Sequence, residues 1–367
     1  WRASLSTSHG GFLASATSPV RRFLYPSRMR MMATLQCHRQ QFLEAEESPL
    51  EVAFTPVMGF GLRALARVEA DCCLLAEPPT VAQQLRENKR ETVACAECLC
   101  PLYPRACVEQ CDDIKCRCGD SFCSKACLDA AKKNGHDMLC TAALLPGQLE
   151  ALQSLVRLFE DLVNVGEAFW LALKLLAKAS ADPKVYELSQ GLAGVAWWET
   201  AGLAAHLCTE AQCITETVFA LLQALLPLPP DFGVSDLALL IGRVRMNAVE
   251  VVVPTDGQNP DHRRHDAQEP TSATATSTLG LALYLVVSTA NHSCLPNCAL
   301  QSQLPIPQLR GWAVLQALRS IEEGEEVTIA YMEDGPATRD RLLEQWGFQC
   351  RCELCNAHVH PDDRSSE

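Results

Sequence analysis

The chain has 367 residues, 48% of them hydrophobic, and a formal net charge of −13. That is enough apolar material for two or three packed units and too much for a largely disordered chain. The acidic balance excludes a general nucleic-acid-binding surface, which needs a basic excess, and favours encounter with basic peptides.

From Trp1 to Leu43 there is no Asp or Glu, but there are Arg2, Arg21, Arg22, Arg28 and Arg30 among many Ser, Thr and Ala. Two readings of residues 1–48 stay open, an organellar transit peptide and a disordered tail. Residues 49–94 look like short strands with turns. Within them Gly59-Phe60-Gly61 places two glycines around one residue ahead of a strand. Glycine lets a backbone approach a ligand without a Cβ clash, although a hairpin turn uses the same residues. The twenty cysteines fall in short-spaced clusters, many near a His, and no secretory signal is apparent. This reads as zinc binding in a reducing compartment, cytoplasm or nucleus, and not as a disulfide framework. The densest cluster fills residues 95–140: Cys95-x2-Cys98, Cys116-x-Cys118, Cys123-x3-Cys127 and His136-x3-Cys140. Eight ligands suffice for two tetrahedral ions.

Residues 141–246 change to a helical period. Leu149, Leu152, Leu155, Val156, Phe159, Leu162 and Val163 recur at three and four residues, and Leu171, Leu175 and Leu176 mark a second helix that Asp182-Pro183 ends. Trp197-Trp198 reads as core packing. The stretch Ile241–Val253 passes from helix into a strand rich in β-branched residues. Residues 247–340 contain a mobile insertion at 256–278, where His262 and His265 are solvated. The most apolar run, Leu281–Val287, is too short to cross a bilayer. It is followed by Ser288-Thr289-Ala290-Asn291-His292-Ser293-Cys294-Leu295-Pro296-Asn297, and then by Gly324-Glu325-Glu326-Val327-Thr328-Ile329-Ala330-Tyr331. Residues 341–358 are a helix and the knuckle Cys350-x-Cys352-x2-Cys355, and 359–367 are a polar tail.

The last three motifs, in that order, resemble the second half of a SET domain with its post-SET zinc site. Phe122–Cys127 with His136 and Cys140 resembles the MYND finger, and the Gly59-x-Gly61 segment with Leu74–Pro79 resembles the first SET strands. The resemblance spans Glu51 to about Cys355 and implies an α+β fold: a β-rich, pseudoknotted SET core split by a MYND zinc finger and a helical insert, closed by a cysteine-rich post-SET segment. SET–MYND proteins are protein-lysine methyltransferases that use S-adenosylmethionine. The family therefore implies Tyr331 as the catalytic residue, and Gly59, Phe60, Gly61, Ser288, Asn291, His292 and Phe348 against the cofactor. Asn247, Val249 and Trp346 would border the lysine channel. Three structural zinc ions are implied: Cys95, Cys98, Cys123 and Cys127; Cys116, Cys118, His136 and Cys140; Cys294, Cys350, Cys352 and Cys355.

Two departures stand out. The pair Cys116-Arg117-Cys118 is one residue short, so that Cys111 or Cys100 is an alternative to Cys116, and Val249 stands where the family usually has an aromatic. They sustain a second reading, a weak or inactive scaffold that serves as a zinc-dependent interaction module. A zinc-finger DNA-binding regulator is disfavoured by the acidic charge and the lack of a basic helix. The expected partners are a protein with a target lysine and peptides at the finger, with no direct nucleic acid and no membrane.

Overall fold

The structure, a computed structural model, describes residues 25–55, 59–90, 92–103, 114–162, 165–199, 205–254, 276–301, 311–332 and 338–357. The expected targeting or tail character of residues 1–24, the possible ligand Cys111, most of the insertion and the tail 359–367 lie outside these residues. The described chain opens with α1 (Tyr25–Ala45), β1 (Leu50–Thr55), β2 (Gly59–Ala64), β3 (Cys73–Glu77) and β4 (Val81–Gln84).

Helix α1 corrects the expectation of a tail over residues 25–48. Leu35, Arg39 and Leu43 lie four residues apart, share one helix face and are at most 1% exposed. The Gln36 side-chain amide donates to the Val52 carbonyl (2.7 Å), and Gln40 Oε1 accepts from the Val52 N–H (3.0 Å), tying α1 to β1. Composition hides this helix because its inward stripe contains a charge, which only distant partners make tolerable in a core.

The finger follows, with β5 (Val93–Ala94), β6 (Pro101–Tyr103), β7 (Ile114–Lys115), β8 (Ser121–Phe122) and α2 (Lys125–Lys133). Ser124 caps α2, accepting from the Cys127 N–H at 3.2 Å. The helical pattern is realised in α3 (Pro146–Asp161), α4 (Gly166–Ala181), α5 (Pro183–Ser189), α6 (Ala205–Leu225) and α7 (Val234–Asn247). Asp182 ends α4 and caps α5 with its side chain. Trp197 is a core residue: its ring lies 5.3 Å from that of Phe169, and its indole N–H donates to Thr215 Oγ1 (2.9 Å). Lys174 and Lys178 of α4 donate to the Ala82 and Thr80 carbonyls (2.6 and 2.9 Å), joining the helical layer to β4.

The chain returns as β9 (Val249–Pro254), β10 (Thr276–Leu283), β11 (Asn291–His292), β12 (Cys298–Gln301), β13 (Ala313–Ala317), β14 (Glu326–Ile329), α8 (Thr338–Trp346) and α9 (Glu353–Ala357). The expected insertion thus ends earlier than 278, since residues 276–278 already pair with β9. The larger sheets have the orders β1-β2-β14-β11, β4-β10-β9 and β12-β13-β3. Each takes strands from before residue 85 and after residue 248, so neither half of this α+β fold completes a sheet without the other. Among the described residues no helix is long and apolar enough to cross a membrane.

One buried carboxylate fixes the approach to β11. Glu77, at the end of β3, is 4% exposed and accepts from the backbone N–H groups of Leu285 (2.7 Å), Val286 (3.1 Å) and Val287 (2.7 Å). Burial pushes its carboxyl up to about 7 while these N–H groups oppose the rise. Glu77→Gln keeps the shape and loses the charge. Because the carboxyl is raised, its ionisation costs folding free energy: the wild type is expected to lose stability in urea as pH rises from about 4.5 through 7, and Glu77→Gln should flatten that loss.

Candidate active site

The pairing of β2 with β14 (Val327↔Leu62) and of β14 with β11 in parallel (Asn291↔Thr328, His292↔Ile329) draws residues 59–64, 291–292 and 326–329 into one sheet. At Gly61 a side chain would displace its neighbours. A Cβ there would stand 2.9 Å from Asn291 Nδ2 and 3.1 Å from Glu326 Oε1, while Gly59, at φ +77°, faces open space. Asn291 donates its amide to Glu326 Oε1 at 2.7 Å. Asn297, 1% exposed, sews the following loop to β14: it donates to the Glu326 carbonyl (2.8 Å) and accepts from the Thr328 N–H (2.8 Å).

Along this sheet runs a cleft. Gly59, Phe60, Asn247, Val249, Ser288, Asn291, His292, Tyr331, Trp346 and Phe348 line it, ten of the eleven candidate residues outside the metal clusters; Gly61 does not, being packed against the Asn291 and Glu326 side chains. Asn247, at the end of α7, donates to the carbonyls of Ala193 and Arg243 (2.7 Å each), and Ser288 Oγ donates to the Asn247 carbonyl (3.1 Å). The Trp346 indole donates to the Met246 carbonyl (2.8 Å), anchoring α8 beside α7.

Tyr331 sits among rings: His292 at 5.3 Å, Trp346 at 5.4 Å and Phe348 at 6.3 Å between centroids. Its hydroxyl donates to the Ala290 carbonyl at 2.9 Å, which leaves the phenol oxygen's lone pairs for another donor. Burial first, and then the charge of Glu326, push the phenol up to about 12. His292 is fixed at both nitrogens. Nδ1 accepts from the Tyr331 backbone N–H (3.1 Å), so the ring proton belongs on Nε2, which lies 3.4 Å from Cys294 Sγ.

The metal clusters can be tested by geometry. Four thiolates about 2.3 Å from one tetrahedral ion stand about 3.8 Å apart, and a nitrogen shortens its edges slightly. Cys98–Cys123 is 3.7 Å, Cys116–Cys140 is 3.6 Å, and Cys294 lies 3.8 and 3.6 Å from Cys350 and Cys355. His136 Nε2 lies 3.4 and 3.7 Å from Cys116 and Cys118. Within each of the three groups expected from the sequence, all ligand atoms lie within 4.8 Å of one another. The donor sets therefore fit tetrahedral ions, and Cys116, not Cys100, stands in the second group. Cys100 is buried in the finger core and directs its thiol to the Pro101 carbonyl at 3.6 Å.

Sequence reasoning passed over Glu326, Asn297 and Glu77 as individuals. The first two lie inside quoted motifs, and nothing in local spacing signals the long-range bonds that give all three their places.

A SET-domain family model matches residues 59–332. The histone-lysine N-methyltransferase ATXR2 of Arabidopsis thaliana is 24% identical over 293 residues, which cover 64% of this chain and 60% of that protein. The histone-lysine N-methyltransferase SMYD3 of Homo sapiens is 38% identical over 80 residues, covering 21% of this chain and 17% of the relative. The protein-lysine N-trimethyltransferase SMYD5 of Gallus gallus is 34% identical over 94 residues, with coverages of 24% and 21%. Each match spans less than two thirds of the relative's length. Among solved structures, the SET domain of LSMT bound to lysine and AdoHcy aligns over 89% of this chain and 58% of its own at 15% identity and a TM-score of 0.38. The match over residues 59–332 makes this chain a member of the SET-domain family.

Proposed function

We propose that the chain is a protein-lysine N-methyltransferase that uses S-adenosylmethionine, with the cleft beside Tyr331 as its active site. The observation that carries this reading is the convergence of Gly59 and Phe60, the Asn291–His292 strand and the Tyr331 side chain on one cleft walled by Trp346 and Phe348. Relatives named as histone- or protein-lysine methyltransferases support it. When bound, S-adenosylmethionine supplies an electrophilic methyl carbon. The residues suit such a sulfonium: aromatic faces at Tyr331, Trp346 and Phe348 and the carboxylate of Glu326 favour a cation, and the glycine backbone at 59, which faces open space, gives close approach.

A lysine side chain entering between Tyr331 and Trp346 leaves water for an apolar wall, and desolvation favours its neutral amine. The proton is given up to solvent on entry. The Tyr331 oxygen, whose own hydrogen is committed to Ala290, accepts an N–H of the amine and turns the nitrogen lone pair along the cleft. As a neutral phenol it orients the amine and does not deprotonate it. We further propose zinc in all three Cys/His groups, as closed structural sites. Those involving the finger stabilise a unit with little core of its own. The third joins Cys294, beside the cofactor strand, to the segment that carries Trp346 and Phe348.

Val249 lines the cleft where the family has an aromatic, and this favours the second reading, a scaffold that binds peptides without transfer. Calorimetry decides between them: micromolar binding of S-adenosylmethionine supports the enzyme, and no binding removes it. With the cofactor bound, Tyr331→Phe is expected to leave its affinity within about twofold and to cut methyl transfer about 10²–10³-fold, the scale of losing one positioned hydrogen-bonding group. In the wild type, transfer should rise with pH as the substrate amine is deprotonated, with no descending limb from Tyr331 below about pH 11, because its phenol titrates near 12. A falling limb between pH 8 and 10 that disappears in Tyr331→Phe would contradict the neutral-phenol role. Elemental analysis should give three zinc ions per chain, two after Cys116→Ser and three after Cys100→Ser.

A further inference from the structure

We infer that Arg39, on the N-terminal helix α1, is a positioning residue that sets the shape of the cofactor side of the cleft by holding three distant chain segments at once. This rests on the reading of the cleft as a methyltransferase site. The guanidinium carbon lies 4.5 Å from the centroid of Phe60, the residue between Gly59 and Gly61. Nε donates to the Leu285 carbonyl (3.0 Å), at the start of the turn that delivers Ser288 and Asn291. Nη2 donates to the Leu188 carbonyl (3.1 Å), at the end of α5, just before residues 190–194 form another part of the cleft wall.

The site is built for a planar fork. Arg39 is fully buried, and a Cβ on Gly191 would stand 2.8 and 3.0 Å from its Nη1 and Nη2. Glu77, which grips the 285–287 turn by its N–H groups, supplies the compensating charge. Burial lowers the guanidinium to about 10 and Glu77 opposes the fall, so Arg39 is charged at neutral pH. An ammonium cannot stack on Phe60 and bond two diverging carbonyls together. Nη1 finds no hydrogen-bond partner among the described residues. A residue chosen for stability alone would avoid that cost, since apolar replacement of a buried charge is often neutral or better. The geometry is that of a clamp on Phe60, the 285–289 turn and the 190–194 loop.

The experiment uses the full chain with S-adenosylmethionine as the probe. Arg39→Met fills the space without the fork, and Arg39→Lys keeps the charge and loses the plane. Both are expected to raise the cofactor Kd about tenfold or more, while kcat at saturating cofactor and the peptide KM stay within about threefold. Phe60→Leu should weaken binding similarly, and the double variant with Arg39→Met should be no worse than the stronger single one, because the two act as a unit. Wild-type Kd in Arg39→Lys, or additive losses in the double variant, overturns the clamp. If Arg39→Met does not fold, Arg39→Lys decides by the same criterion. A wild-type chain that binds no S-adenosylmethionine fails the functional reading itself, an outcome distinct from a bound cofactor indifferent to Arg39.

Discussion

The site rests on the close fit of β2 against the Asn291–Glu326 pair at Gly61. A methyl group there would meet the Asn291 amide at 2.9 Å, so that side chain would have to shift. Beside this contact Val327 pairs with Leu62 and β11 runs parallel to β14. These pairings place the backbone of the glycine pair next to the strand bearing His292, and from that strand Tyr331 takes both its neighbours, Ala290 by hydroxyl and His292 by backbone N–H. Glu326 serves twice here, as acceptor for Asn291 and as the nearby charge that helps keep Tyr331 protonated.

Around this sheet the three Cys/His groups, with zinc bound as proposed, would do work that apolar packing cannot do over so few residues. The finger's buried apolar residues are a handful, among them Leu102, Phe122 and Ala131, and its cysteines make up much of the rest. In segments this small, ligand geometry substitutes for core volume. At the other end Leu342 is the one buried apolar side chain outside the cysteines of the terminal cluster among the described residues. The Trp346 bond to Met246 and the ligands around Cys294 are what hold that segment over the cleft.

What the sequence makes legible is what short spacing encodes. The eight finger ligands and the Cys350–Cys355 knuckle can be named from short spacing because thiolate pairs are built within a few residues, while Cys294, Asn291, His292 and Tyr331 are named through the family resemblance of their motifs. The helices of the insert declare themselves by period. What stays hidden is every residue whose role is a long-range bond. Arg39 lies in the stretch read as a leader or a tail, and its acceptors at Leu188 and Leu285 cannot be read from its neighbours. Glu77 lies in the Leu74–Pro79 segment with nothing local to mark its bonds to residues 285–287. The short Cys116-x-Cys118 spacing left the second cluster open until geometry set Cys140 at 3.6 Å from Cys116.

The interleaving of early and late strands has a consequence for biosynthesis. The acceptors of Arg39 are made 149 and 246 residues after it, and β1 and β2 wait as long for β14. While the ribosome works through the finger and the helical layer, α1 and the first hairpin have only each other, and the faces that later meet β14 and Leu285 stay open. The finger's ligands lie within one stretch, so its closure around the ions proposed above needs nothing from the later chain. The three larger sheets cannot form until residues 249–329 have been made, a topology of long-range pairings in which the earliest strands stay open longest during synthesis.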